Sequence, residues 1–584
     1  MRLLKELHYI FPRKQRLLFV LLFFLQLIST AFDFFGVSLI LPFINVLLNP
    51  VASHDAFWYR WVAGLIHAET DGEVLLFITF AIMAVYIIKN LYSLLMLNLS
   101  VRFVAANKVR MGARMIRCYM NKPYTFHLQR NTAEIIRNIN GDVSGAFSVI
   151  STIFGLISSV LIVTSLVIYL IAVDVWMTLA ISAALLVCSA LYFFVVRKRI
   201  RETGKLSRVY TAKMYKAIHQ SMGGIKEVKI MGREQFFADV YEQAGAQSVE
   251  LGRKYSIISA VPNMLIETLC ICSVLGVVAY RIVSGADLAA VVPSLSAFAL
   301  AAVRLMPRAS AINSAINAIT FSRPSLDALY DDLRESEREE RERSAEIERK
   351  KREHRTTEIG TERDIWVKNI TYTYPNRDEP VLKNVNLHIR HGESVGIVGV
   401  TGAGKTTLVD VILGLLKPDA GSVCYGALDI HEDYSRWQRH IGYIPQNIYL
   451  VDDTIRNNVA LGVEEDRIDD AAVWSALESA QLADFVRGLK DGLDTVIGER
   501  GVRISGGQRQ RIGIARALYD DPEILFFDEA TSALDNETEA AVMESIHAIG
   551  SRKTMIIVAH RLTTLKDCDV VFKVTDGGVE ETRL

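Results

Sequence analysis

The 584-residue sequence has little cysteine, few charged residues for its length and no net charge. Its six cysteines, Cys118, Cys188, Cys270, Cys272, Cys424 and Cys568, are scattered. No CxxC pair and no histidine at metal-ligand spacing accompanies them, which excludes a zinc centre built on thiolates. Cys270 and Cys272 stand two apart in an apolar run, too close for an ordinary bridge, so the thiols read as buried and reduced. Charged residues make up 22% and hydrophobic residues 51%, with a mean hydropathy of +0.23. Disordered and collagen-like chains are thereby excluded. The composition is too apolar for an ordinary soluble protein and too charged for one made only of membrane spans. Length alone suggests roughly four domains at about 150 residues each. The zero net charge hides two unlike halves. Residues 1–330 carry 32 Lys and Arg against 18 Asp and Glu, a net of +14, and residues 331–584 carry 33 against 47, a net of −14.

The first half contains apolar runs at about 17–48, 74–100, 144–171, 176–196, 256–283 and 286–321. A membrane helix needs about 20 such residues. The first run has 32 residues, about 48 Å at helical rise. It exceeds the ~30 Å hydrocarbon core, so it should tilt or protrude, and it is too long for a signal-peptide core. Basic residues crowd the N-terminus, the connector near 101–143 and the connector at 197–255, which opens Arg197-Lys198-Arg199. The connector at 49–73 has only Arg60 and four acids, and the turn at Asp174 has no base. Six spans with both termini cytoplasmic put every basic stretch on one side. Because the positive charge tracks the span ends, a nucleic-acid patch is not the reading adopted. The two basic connectors are long, as helices extending well beyond the membrane would make them. Each is expected to hold a short crossing helix, one near Phe126–Asn140 and one near Tyr215–Met231. Pro324 is expected to close the last span, and Ser336–Arg355 reads as a solvated helix or flexible linker. The expected organisation is a membrane domain at 1–323, a charged linker at 324–363 and an α/β domain at 364–584.

The second half alternates short apolar strands with helical stretches. The strand Ser394–Gly399 runs into Gly399-Val400-Thr401-Gly402-Ala403-Gly404-Lys405-Thr406, which matches G-x-x-x-x-G-K-[ST], and Thr407 then begins a helix. Glycines there let backbone N–H groups wrap phosphates at a helix N-terminus. Lys405 reaches the outer phosphates, and the Thr406 hydroxyl is placed for Mg²⁺. A second strand, Ile524–Phe527, ends in Asp528-Glu529, with Asp528 placed to hold Mg²⁺ and Glu529 to polarise the attacking water. Ile504-Ser505-Gly506-Gly507-Gln508 precedes another helix and forms a second anion cradle. Two cradles in one domain suggest that two copies of the domain sandwich each nucleotide.

These motifs, with Gln446 in Ile444-Pro445-Gln446, Ser532-Ala533-Leu534-Asp535 and His560, occur in the order found in ABC transporters, and the chain resembles that family over nearly its whole length. The resemblance implies ATP and Mg²⁺ as cofactors. It implies that Tyr374 stacks on adenine, that Gln446 senses Mg²⁺ and couples to the membrane domain, and that Ser505, Gly506 and Gln508 contact the γ-phosphate from the opposite subunit. It further implies that Asp535 works across a dimer interface and that His560 contacts the γ-phosphate. Ile504 stands where leucine is commonest. Thr495–Gly501 resembles the segment that touches intracellular loops in exporters. Six spans before one intact nucleotide domain look like an exporter half-transporter that forms a homodimer.

Three short stretches, Ser38–Ile44 (SLILPFI), Arg304–Pro307 (RLMP) and Ile444–Leu450 (IPQNIYL), resemble bacterial lipid-linked oligosaccharide flippases of protein N-glycosylation. That likeness implies flipping of a polyprenyl-pyrophosphate glycan across the bacterial inner membrane. Export of another lipid, drug or peptide is the alternative, and an ATP-gated channel or regulator a third. Ionisable residues inside spans are functional candidates. Here they are Asp33, Lys89, Glu267 and Arg304, some 18–24 Å deep at helical rise. Lys89, Arg304 and Arg308, one turn on, suit a pyrophosphate. Internal pairing of two bases with two acids is the competing reading. Asn263 and Glu267 share a helix face.

Overall fold

The structure, a computed structural model, describes residues 2–38, 57–68, 70–173, 175–283, 288–353, 363–498, 501–529, 539–542, 544, 553–558, 565 and 568–582. The chain divides into two compact units: Met1–Lys122 with His127–Glu339, and Pro123–Phe126 with Glu340–Leu584. Length alone pointed to about four, but long helices consume residues without forming separate cores.

Among the described residues the first unit is helical, with short turns between helices. It contains α1 (Arg2–Ile10), α2 (Arg13–Ser38), α3 (Phe57–Ile66), α4 (Asp71–Met120), α5 (Tyr124–Gln129), α6 (Thr132–Arg137), α7 (Val143–Val173), α8 (Val175–Gly223), α9 (Ile225–Met231), α10 (Glu234–Val283) and α11 (Leu288–Glu353), with α5 and α11 divided between the units. Among the described residues four segments are long and apolar enough to cross a membrane: 13–32, 71–120, 132–171 and 234–273. The predicted runs at 176–196 and 286–321 fall in α8 and α11, and the end of the first run lies outside the described residues. At 50 residues, α4 and α10 measure about 75 Å, more than twice the hydrocarbon core. Their outward leucines, isoleucines and phenylalanines, such as Phe80, Ile87 and Leu91 on α4, are exposed. That pattern is stable where lipid is the solvent and each helix satisfies its own backbone.

The short crossing helices occur as α5, α6 and a π-helical turn at Asn138–Asp142 in the first connector, and as α9 in the second. Gly224 separates α8, which ends at Gly223, from α9, so the second crossing is shorter than the expected Tyr215–Met231. The π turn sits in a buried polar network. Arg208 of α8 donates from Nε and Nη2 to the two oxygens of Asp142, both at 2.8 Å. Asn138 donates to Tyr119 Oη at 2.9 Å and to Asp332 Oδ2 at 3.1 Å, and Tyr119 donates to the same carboxylate oxygen at 2.6 Å. Four helices are thereby tied at one level: α4, the α6–α7 junction, α8 and α11.

The helix does not end at Pro324. Helix α11 runs through it from Leu288 to Glu353, so the described part of the charged stretch is helix, and the two units divide at Glu339/Glu340. An internal proline costs roughly 3 kcal/mol. The next turns bury Leu326, Leu329 and Leu333 completely, each worth about 1.5–3 kcal/mol, which offsets that cost.

The second unit holds two sheets. One is antiparallel, in the order β2 (Leu382–Ile389), β1 (Ile365–Tyr372), β4 (Ala420–Tyr425), β5 (Leu428–Asp429). The other runs β10 (Gly578–Thr582), β9 (Val570–Thr575), β3 (Ser394–Val398), β8 (Thr554–Val558), β7 (Ile524–Asp528), β6 (Ile441–Ile444). Its five strands from β9 to β6 are parallel, and β10 adds antiparallel at the edge. Strands β3, β7 and β8 are buried along most of their length, as parallel strands covered on both faces must be. Helix α12 (Lys405–Ile412) follows β3, and α13 (Gly506–Leu518) carries Ser505 at its N-cap. Two apolar cores flank the large sheet, one around Trp437 and Leu408, the other around Ile512 and Leu477.

Candidate active site

Parallel strands present their C-terminal ends at one sheet edge, where α/β folds bind ligands. Here β3 and β7 stand either side of β8, so the loop after Val398 and the carboxylates after Phe527 emerge at the same edge. Gly402 and Gly404 have φ of 85° and 105°, and Gly404 caps α12. A Cβ at Gly402 would meet open space, so there the left-handed backbone itself selects glycine. Lys405 is buried, and its Nζ donates to Gly399 O at 2.8 Å and Val400 O at 3.2 Å. The ammonium is thus held at the mouth of the loop. Thr401 and Thr406 are exposed beside it, and Ala403 is half-buried. Thr407 is buried, and its Oγ1 lies 3.2 Å from Tyr374 Oη. The predicted adenine-stacking ring is thereby fixed against the helix that carries the loop.

Glu529 has φ of 51°, uncommon for a residue with a side chain. Its N–H donates to Val558 O at 3.0 Å, which pins the turn. Gln446 Nε2 donates to Glu529 Oε2 at 2.5 Å, so these two predicted residues meet although 83 positions apart. Tyr443, three residues earlier on β6, donates to Asp528 Oδ2 at 3.4 Å. The sequence reading missed Tyr443 and also Asp410 on α12. Burial and the nearby Asp528 push the Asp410 carboxyl up to about 6. Burial, then the charges of Asp528 and Asp410, raise the Tyr443 hydroxyl, which therefore stays a donor. Tyr124, in the Pro123–Phe126 segment of this unit, is raised by burial and by Asp410. Tyr443 carries no sequence signal, because it stands at an odd spacing of three from Gln446, which lies beyond the end of β6. Asp410 has none, because its neighbours come from other strands.

The donors suit Mg²⁺, which takes hard oxygens: the Thr406 hydroxyl, the Asp528 carboxylate and the Gln446 amide oxygen. Asp528, close enough to shift Asp410, forms with it the negative field that a divalent cation relieves. At the second cradle, Ser505 Oγ accepts from Gln508 N at 3.2 Å and Ser505 N donates to Gln508 Oε1 at 2.8 Å. This capping box orders the helix start, with Gly506 and Gly507 in its first turn. Asp535 and His560 lie outside the described residues, as does Ser532–Leu534. Of the span residues, Lys89 is half-buried with Nζ 5.3 Å from the centre of the Tyr86 ring, Arg308 is half-buried, and Asn263 and Glu267 are both exposed. The side chains of Asp33 and Arg304 lie outside the described residues.

A glycine loop, a buried lysine and a strand-end carboxylate pair on a parallel sheet define a phosphate-loop ATPase, here fused to a bundle of membrane helices. Residues 382–532 match the ABC transporter family, and residues 19–300 match the ABC transporter transmembrane region. The chain belongs to the ABC transporter family, with an exporter-type membrane domain preceding the ATPase, and it couples ATP hydrolysis to substrate translocation. It is 28% identical over 558 residues to the ATP-dependent lipid A-core flippase of Escherichia coli strain K12, covering 94% of this chain and 92% of that one. The Salmonella typhimurium strain LT2 protein of the same description matches to the same extent. In fold the chain is similar to a bacterial Atm1-family ABC exporter with ATP bound, at a TM-score of 0.76 and 21% identity, covering 97% of this chain and 95% of that one.

Proposed function

We propose that this protein is a homodimeric ATP-driven flippase that moves a lipid-linked oligosaccharide, a polyprenyl-pyrophosphate glycan, from the inner to the outer leaflet of the bacterial inner membrane. In this reading both termini are cytoplasmic, because every basic connector then lies on that side. The cargo assignment is carried by one observation: basic residues, Lys89, Arg304 and Arg308, stand in otherwise apolar spans, where ionisable groups mark substrate paths. The stretches Ser38–Ile44, Arg304–Pro307 and Ile444–Leu450 support the same cargo.

At the nucleotide site the glycine loop from Gly399 to Gly404 and Lys405 bind the phosphates, and Tyr374 stacks on adenine. Thr406, Gln446 and Asp528 hold Mg²⁺, which when bound neutralises charge on the phosphates. Glu529 takes the proton of the attacking water, and the Gln446 amide on Oε2 orients its carboxylate. Ser505, Gly506, Gly507, Gln508 and Asp535 complete the site of the second copy, and His560 contacts the γ-phosphate. ATP closes the two nucleotide domains, and hydrolysis reopens them. The connectors holding α5, α6 and α9 pass this motion to the spans.

Vesicles reconstituted with labelled polyprenyl-pyrophosphate glycan should show ATP-dependent transfer that Glu529→Gln abolishes. Failure to move that lipid, alongside robust movement of a drug or peptide, refutes the cargo. Lys89→Ala and Arg304→Ala should lower the amount transported per ATP hydrolysed. Loss of the folded protein instead favours internal pairing with Asp33 and Glu267. A second reading, another amphipathic lipid as cargo, is favoured by the likeness to lipid A-core flippases. The same vesicles loaded with that lipid test it.

A further inference from the structure

The basic end of the helical unit holds a cavity of about 420 Å³ that no residue of the reading above uses. Its size falls within the range of about 300–1,000 Å³ typical of ligand pockets. Three helices form it: Leu3 comes from α1, Phe193, Arg197 and Arg201 from α8, and Ile319, Arg323 and Asp327 from α11. The walls differ in chemistry. Leu3, Phe193 and Ile319 are apolar, and the following turns of the same faces of α8 and α11 bring three guanidinium groups and one carboxylate.

The three arginines are not equally committed. Arg323 is occupied, with Nη2 2.5 Å from Glu6 and Nε 2.8 Å from Asp327. Arg201 reaches Asp327 only at 3.5 Å, and its side chain is 49% exposed. Arg197 is exposed, and its guanidinium carbon lies 5.4 Å from the Phe193 ring centre. Among the described residues no carboxylate pairs with Arg197. Three positive charges meet the two negative charges of Glu6 and Asp327, which leaves a positive excess on the open side.

The depth of the cavity is readable from the chain. Arg197 follows directly on the apolar run 176–196, and Arg323 lies just past the run that ends at 321. Both therefore sit where hydrocarbon gives way to headgroups. Helix α1 carries Lys5 beside a set of leucines and contributes its Leu3 to the apolar wall, as an interfacial helix does.

We infer that this cavity binds a lipid carrying a phosphate or pyrophosphate headgroup, drawn from the leaflet at that end. The headgroup oxygens pair with Arg197 and Arg201, whose planar guanidinium groups match phosphate geometry. The first carbons of the chain lie on Phe193, Leu3 and Ile319. The apolar wall decides for a lipid over free phosphate, since a soluble anion gains nothing from it. That the leaflet is the cytoplasmic one rests on the topology proposed above. On that topology the site receives lipid before it reaches the spans.

The test uses the full chain in phosphatidylcholine nanodiscs with labelled polyprenyl pyrophosphate as the probe. Wild-type protein should bind it saturably. Arg197→Gln with Arg201→Gln should weaken binding about tenfold or more, as expected for loss of charge-assisted contacts. The double lysine variant should recover part of the loss. Asp327→Asn should tighten binding, because it removes the carboxylate that competes for Arg201. Both arginines are exposed, so their replacement opens no core. Unchanged affinity in the double glutamine variant, or no saturable binding by the wild type, overturns the site. Complete displacement by inorganic pyrophosphate at equal affinity overturns the assignment to a lipid, and resistance to it supports the apolar wall. Transport measured in parallel separates this site from the proposed function. Protein that binds the probe through these arginines yet moves only a drug or peptide keeps the site and loses the flippase reading. Protein that flips the lipid with unchanged binding in the variant loses only the site.

Discussion

Replacing Asp410 by Asn tests whether the carboxylates at the nucleotide site repel one another as the structure implies. The folded protein raises this carboxyl from 3.8 to about 6, chiefly by burial and further by Asp528. The folded state therefore holds the proton more tightly than the unfolded chain between those values. Stability must fall as pH rises through that window, and the full deficit is present above about pH 6. A shift of roughly two units corresponds to about 3 kcal/mol at 1.36 kcal/mol per unit. Asp410 is only half-buried, so solvent screening reduces the expected deficit to about 1–2 kcal/mol. Asn cannot ionise and escapes the deficit. For a unit of this size, 1 kcal/mol moves Tm by about 2–4 °C. Asp410→Asn should therefore raise Tm by about 2–8 °C near pH 7.5 and by at most about half of that near pH 4.5, where the window is only partly crossed. The assay is thermal unfolding of the detergent-solubilised full chain with EDTA, followed by tryptophan fluorescence. Trp437, completely buried in this unit, makes the signal sensitive to it. An equal gain at both pH values, or a loss near neutrality, refutes the electrostatic argument.

Two further substitutions probe the packing around the site and the helices. Asn458 is completely buried; its Oδ1 accepts from Val451 N at 3.0 Å, and its Nδ2 donates to Val451 O and Thr454 O, each at 3.0 Å. Asn458→Ala strands these groups and the Arg516 contact to its Oδ1, and should cost about 2–4 kcal/mol in the same melt. On α8, Gly204 packs so closely on α11 that a Cβ would run into the Phe321 carbonyl. Gly204→Ala should cost about 1–3 kcal/mol and lower transport per ATP hydrolysed in vesicles, and an unaltered melt would show that the helices separate freely there.

The nucleotide site was legible where chemistry and backbone are local. Gly399 to Thr406 forms one strand–loop–helix unit, so spacing alone placed Lys405 beside the loop. The capping box at Ser505 and Gln508 is equally local, three residues across. Membrane helices were legible because a run of apolar residues needs no partner to declare itself. The local penalty of Pro324 is visible in the sequence, whereas the burial of Leu326, Leu329 and Leu333 that lets the helix run on through it is not. The four-domain expectation from length failed because helices of 50 residues extend rather than close.

What the sequence determined by itself is the order and chemistry of the parts: apolar spans, basic connectors, the phosphate loop and the Asp528-Glu529 strand end. Their period and spacing are set within a few residues by backbone geometry. What only the tertiary structure decided is which distant side chains meet. It put Gln446 on Glu529, Tyr443 on Asp528, Arg208 on Asp142, and Arg197 and Arg201 of α8 around one cavity with Leu3 of α1 and Ile319 of α11. Those meetings depend on sheet order and helix packing, which sum many weak contacts between remote segments, and no local pattern of residues encodes them.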